Sequence, residues 1–116
     1  MIKDYNHPSV AIYCSLGVEK QYIEEILWGI EEEGIPFIIK NKDLDNAKEL
    51  ANLASKDSKL SVGIGVNKRG DVALTIDKLR VEEPLFFINL EEGNTCLRSL
   101  GANGARLVKG MPLKNI

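Results

Sequence analysis

The sequence predicts one α/β domain spanning 1–116, with three layers (α/β/α) around a mixed five-stranded sheet. Short apolar, β-branched runs alternate with stretches of helical periodicity, as strands joined through helical crossovers do. A tight turn, Asn67-Lys68-Arg69-Gly70, separates two apolar runs and makes the fourth strand antiparallel to the third. A chain of 116 residues, 44% hydrophobic and 28% charged, has the size and composition of one globular domain.

Each element has a local cause. Ser9-Val10-Ala11-Ile12-Tyr13-Cys14 reads as a buried strand. Ser15-Leu16-Gly17 turns the chain into a helix over residues 19–33. Its apolar positions Tyr22, Ile23, Ile26, Leu27 and Ile30 keep the spacing of one buried face. Gly34 suits the position after the helix, and Pro36 stops continuation. Ile35-Pro36-Phe37-Ile38-Ile39 is a second strand, placed at an edge by its proline. Asn41-Lys42-Asp43 reads as a loop, and Leu44, Ala47, Leu50, Ala51 and Ala54 mark a second helix ending near Ser55. Residues 60–66 and 71–76 form the hairpin strands, and Leu85-Phe86-Phe87-Ile88 is the fifth strand. Residues 94–109 carry helical signals weakened by Gly101 and Gly104.

Several function classes fall away. Net charge is −2 with basic residues scattered, so nucleic acid is not an expected partner. No apolar run approaches the ~18 residues of a membrane span. The first eight residues lack the apolar stretch of a secretory signal. Cys14 and Cys96 match no metal spacing, and Cys14 reads as a buried, reduced thiol of a cytoplasmic protein. His7 is the only histidine, and no nucleophilic constellation accompanies it. Gly63-x-Gly65 leads into a strand rather than a helix, so it reads as close packing, not as a dinucleotide loop. Gly101-Ala102-Asn103-Gly104-Ala105-Arg106 also reads as close packing in preference to an anion cradle.

The run Gly29-Ile30-Glu31-Glu32-Glu33-Gly34 crowds carboxylates at a helix C-terminus, where the backbone partial charge is already negative. On a helical wheel Trp28 falls opposite the apolar face, beside Glu24, Glu25 and Glu32. Trp28 and Glu32 are an i, i+4 pair. A tryptophan on an acidic outer face is read here as a protein–protein contact formed by Trp28, Glu25 and Glu32. The electrostatic cost of the acid run is expected to be offset in a complex, not in the free chain.

That acid run with its following Ile35-Pro36-Phe37, taken with Ala105-Arg106-Leu107-Val108-Lys109-Gly110-Met111-Pro112, resembles the small subunit of the diol/glycerol dehydratase reactivating factor. The fold is also similar to the medium subunit of the B12-dependent dehydratases. The resemblance implies a non-catalytic subunit of a chaperone-like complex with a large ATPase subunit. That complex loosens a dehydratase by subunit exchange and lets damaged cobalamin leave. The dehydratase large subunit is then a transient partner, and no cobalamin is bound directly. The resemblance matches Glu32 to a ligand of a magnesium-like divalent cation shared with the large subunit, and one carboxylate cannot form a cage alone. It implies a cytoplasmic protein and leaves association with a bacterial microcompartment open. Two other readings stand. One is a shortened medium-subunit homologue, for which 116 residues leave no expected room for an N-terminal extension. The other is a stand-alone small-ligand-binding domain, with a pocket near Ser15-Leu16-Gly17 or Asn89.

Overall fold

Alternation of large and small side chains along the central strands decides where each helix sits. The computed structural model describes residues 8–116, so His7 lies outside the described residues. In β1 (Val10–Ser15), Val10, Ile12 and Cys14 enter the main core, while Ala11 and Tyr13 enter a second cluster. β3 (Val62–Val66) repeats the pattern with Val62, Ile64 and Val66 against Gly63 and Gly65. β4 (Asp71–Ile76) does so with Val72 and Leu74 against Ala73. With β2 (Phe37–Lys42) and β5 (Phe86–Asn89), these strands form one sheet in the order β2-β1-β3-β4-β5. The pairings β1–β2 and β1–β3 are parallel, and β3–β4 and β4–β5 are antiparallel. The mixed five-stranded α/β/α sandwich is therefore the one the sequence predicts, with β2 at an edge.

α1 (Glu24–Glu32) and α3 (Asn94–Lys109) cover the large-residue face, and α2 (Ala47–Asp57) covers the small-residue face. A Cβ on Gly63 would collide with the Ala51 carbonyl and the Ser55 amide, and one on Gly65 with the Ala47 carbonyl. The backbone of α2 thus lies directly on β3, and the Gly63-x-Gly65 pattern is packing. Tyr13 closes the flank of this seat: its hydroxyl donates to Asp57, and Lys42 lies 4.9 Å from its ring centroid. Burial, then the Asp57 hydrogen bond and charge, raises the Tyr13 pKa. Burial likewise pushes the Cys14 thiol up to about 12, so it stays protonated at neutral pH.

Several boundaries differ from the sequence reading. The first helical stretch is a 3-10 turn over Lys20–Ile23 followed by α1, not one helix over 19–33. That change of pitch turns Tyr22 out of the apolar face; it is 57% exposed. Leu44 precedes α2, which starts after Asn46, whose side chain accepts from the Glu49 amide at 3.0 Å. β2 runs on through Lys42, so Asn41 and Lys42 are strand rather than loop. α3 is continuous despite its glycines, because Gly101 sits where a Cβ would strike the Ile26 carbonyl. Gly34, at φ +76°, ends α1 in the left-handed conformation that an L side chain resists.

Beyond α3 the chain folds back along it. The buried Asn103 side chain bonds both backbone groups of Lys114, donating to its carbonyl at 2.9 Å and accepting its amide at 2.6 Å. Arg106 donates to the Pro112 carbonyl at 3.0 Å. Within the Ala105–Pro112 motif, Arg106 thus has a direct structural use.

Gly63→Ala forces α2 off the sheet or strains β3. The expected loss is about 3 kcal/mol, the upper end of overpacking. It is measured as a lowered urea midpoint at unchanged m-value.

Candidate functional site

α1 offers its outer face because its inner one is consumed. Ile26, Leu27, Gly29 and Ile30 are buried, which leaves Glu25, Trp28 and Glu32 along the opposite side. α3 crosses α1 backbone to backbone: a Cβ on Gly29 would meet the Arg98 carbonyl and the Ala102 amide. This contact lays the Arg98 side chain along the outer face of α1. Its Nη2 donates to both oxygens of Glu25, at 3.1 and 2.9 Å, and its Nη1 to Glu32 Oε2 at 3.1 Å. The guanidinium carbon lies 5.3 Å from the Trp28 ring centroid, within cation–π range.

The structure therefore brings Glu25, Trp28 and Glu32 together, as the wheel placed them. It adds Arg98, which the sequence reading missed, because its partners lie 73 and 66 residues away. Exposure grades across the cluster: the Glu25 side chain is 17% exposed, Arg98 33% and Glu32 57%. Trp28 is 44% exposed.

Glu33 does something different. Its Oε2 accepts from Arg106 Nε at 3.2 Å and its Oε1 from Lys109 Nζ at 2.8 Å. Lys109 Nζ also donates to the Glu33 carbonyl at 2.8 Å, capping the end of α1. The Lys109 hydrogen bond is the largest influence on the Glu33 carboxyl, with Arg106 adding to it, and together they outweigh burial and lower its pKa. This corrects the expectation that the acid run is compensated only in a complex. Glu33 and Glu32 are both paired with cations of α3 within the free chain.

Among the described residues, no group of three or more His, Cys, Asp or Glu side chains gathers to hold a metal ion. Glu32 keeps a well exposed carboxylate with one oxygen on Arg98, so among the described residues it is an oxygen donor outside any such group. No helix among the described residues is long and apolar enough to cross a membrane.

A groove of about 690 Å³ lies where the sequence reading placed a ligand pocket, at the carboxyl ends of β1, β3 and β5. Leu16 and Tyr22 give it an apolar wall, and Lys68 and Arg69 a basic one. Its two amide side chains are already engaged. Asn67 donates to Asp71 at 3.1 Å, and Asn89 donates to the Arg69 carbonyl and to Asp71, each at 3.2 Å. They tie the β3–β4 hairpin to the end of β5.

A family model described as dehydratase medium subunit matches residues 7–114. The chain belongs to that family. It is 41% identical over 95 residues to a probable glycerol dehydratase-reactivating factor small subunit of Citrobacter freundii, covering 81% of each chain. It is 37% identical over 107 residues to a propanediol dehydratase-reactivating factor small subunit of Citrobacter freundii, covering 92% of this chain and 90% of that one. A solved glycerol dehydratase reactivase superposes with a TM-score of 0.88 at 36% identity, over 94% of this chain and 98% of that one. A diol dehydratase-reactivating factor complexed with ADP and Mg2+ superposes with a TM-score of 0.88 at 34% identity, over 95% of this chain and 100% of that one.

The lowered Glu33 pKa sets an acid limb. Ionised Glu33 contributes stability above the ordinary carboxyl value of 4.5, and that contribution disappears as pH falls through the lower folded value. Glu33→Gln is therefore expected to be less stable than the parent chain at neutral pH. The difference should close below pH 4.5, read from urea midpoints across a pH series.

Proposed function

We propose that this chain is the non-catalytic small subunit of a chaperone-like reactivating factor for diol or glycerol dehydratase. It meets a large ATPase subunit through Glu25, Trp28 and Glu32. In this reading the complex releases damaged cobalamin by exchanging the small subunit with the dehydratase medium subunit. The observation that carries the reading is a double likeness: the family is described by the dehydratase medium subunit, and the chain's relatives are reactivating-factor small subunits. Two proteins of one fold can occupy one seat on a common partner. The dehydratase large subunit is then a transient partner.

Glu32 supplies one oxygen ligand to a magnesium-like cation at the contact, and the large subunit supplies the rest. The exposed Glu32 carboxylate supports this, as does the relative's complex with ADP and Mg2+. The chain itself performs no turnover in this reading. The protein acts in the cytoplasm in this reading.

Two measurements test it. Cobalamin-inactivated dehydratase, given large subunit, ATP, magnesium and fresh coenzyme, should regain activity only when this chain is added. Glu32→Ala and Trp28→Ala should each weaken binding to the large subunit about tenfold or more, as centrally placed interface residues do. Unchanged affinity in both variants would remove the α1 face from the contact.

The groove at the strand ends supports the second reading, a small-ligand-binding domain. In that case Lys68→Ala and Arg69→Ala would abolish binding of a small anion and leave the reactivation assay untouched.

A further inference from the structure

We infer that Arg98 is the positioning residue of the α1 face: it holds the Glu32 carboxylate in the orientation in which it meets the cation at the subunit contact. The inference rests on the reading of that face as the subunit contact and names the residue that prepares it.

The guanidinium is rigid and planar, and one of its nitrogens is anchored at one end. Nη2 bonds both oxygens of Glu25, at 3.1 and 2.9 Å, on the more buried side of the cluster. Trp28 backs the fork, its ring centroid 5.3 Å from the guanidinium carbon. With Nη2 anchored on Glu25 and the guanidinium carbon over Trp28, Nη1 reaches Glu32 Oε2 at 3.1 Å. The third nitrogen, Nε, is buried and has no hydrogen-bond partner. A buried unmet donor is normally avoided. Here the other two nitrogens both face the glutamates of α1.

The charges agree with this assignment. Two carboxylates and one guanidinium leave one net negative charge on the cluster. Glu25, doubly bonded, cancels Arg98, so the surplus resides on Glu32. Glu32 is a long side chain, 57% exposed, which without a tether would sample several rotamers and lose that freedom on binding. Arg98 reduces that loss by holding one oxygen of the carboxylate. Lysine cannot substitute: a single ammonium has no plane to transmit from Glu25 to Glu32.

The test is a double-mutant cycle on the full chain with the large subunit, in excess magnesium. Dissociation constants are measured for the parent, Arg98→Lys, Glu32→Gln and the double variant, with Trp28→Ala as a separate probe of the face. Arg98→Lys keeps a cation beside Glu25, so the fold is preserved where Arg98→Ala would leave a half-buried carboxylate unpaired. The expected result is about tenfold weaker binding for Arg98→Lys in the parent background, and less than about twofold further loss once Glu32 is Gln. An equal loss in both backgrounds overturns the positioning role and leaves Arg98 as scaffold. So does undiminished binding by Arg98→Lys while Glu32→Gln and Trp28→Ala weaken the complex. If neither Glu32→Gln nor Trp28→Ala weakens it, the interface reading fails and the inference falls with it.

Discussion

Where α1 crosses α3, each helix places a backbone carbonyl in the space that a side chain of the other would fill. The Ile26 carbonyl occupies the side-chain space of Gly101, and the Arg98 carbonyl that of Gly29. Two helices this close must pair whatever lies beside the crossing. On one side that is Arg98 against Glu25 and Glu32, and at the carboxyl ends it is Arg106 and Lys109 against Glu33. The ion pairs follow from the crossing and would come apart if it widened. Most of these charges are partly exposed, and such pairs contribute little stability individually. Apolar burial under the helices holds the layer; the charges settle how the outer surface is arranged.

The sheet divides its labour in a similar way. One face carries Ile, Leu and Val and needs two helices to cover it, whereas the other carries Ala and Gly and takes α2 almost in backbone contact. The small-residue face has no slack. The large-residue face is the side on which the acid–aromatic cluster sits.

Much of the architecture was legible because it depends on local periodicity. Alternation in β1, the spacing of Ile23, Ile26, Leu27 and Ile30, and the Asn67–Gly70 turn each act over a few residues. The turn of Tyr22 away from the core was not legible, because a 3-10 segment and an α-helix share the same residue preferences over four positions. Continuity of α3 through Gly101 was hidden for a different reason: only the neighbouring helix shows that a larger residue would not fit. At the candidate site, a wheel drawn for α1 alone found Glu25, Trp28 and Glu32 on one face. It could not show Arg98, nor that Glu33 is tied to Lys109, since charge pairing across helices leaves no mark in either helix's own pattern. The acid run looked unpaid at a helix end only because its cations arrive from α3.

Trp28 is the only tryptophan in the chain. It is half-open to water and lies against the Arg98 guanidinium, with Glu25 and Glu32 bound to the same cation. An indole in such a place responds to nearby charge and to loss of water. Its emission therefore reports from the acid–aromatic face alone, with no other indole to dilute the signal. The chain carries its own optical probe at the surface where its partner is expected.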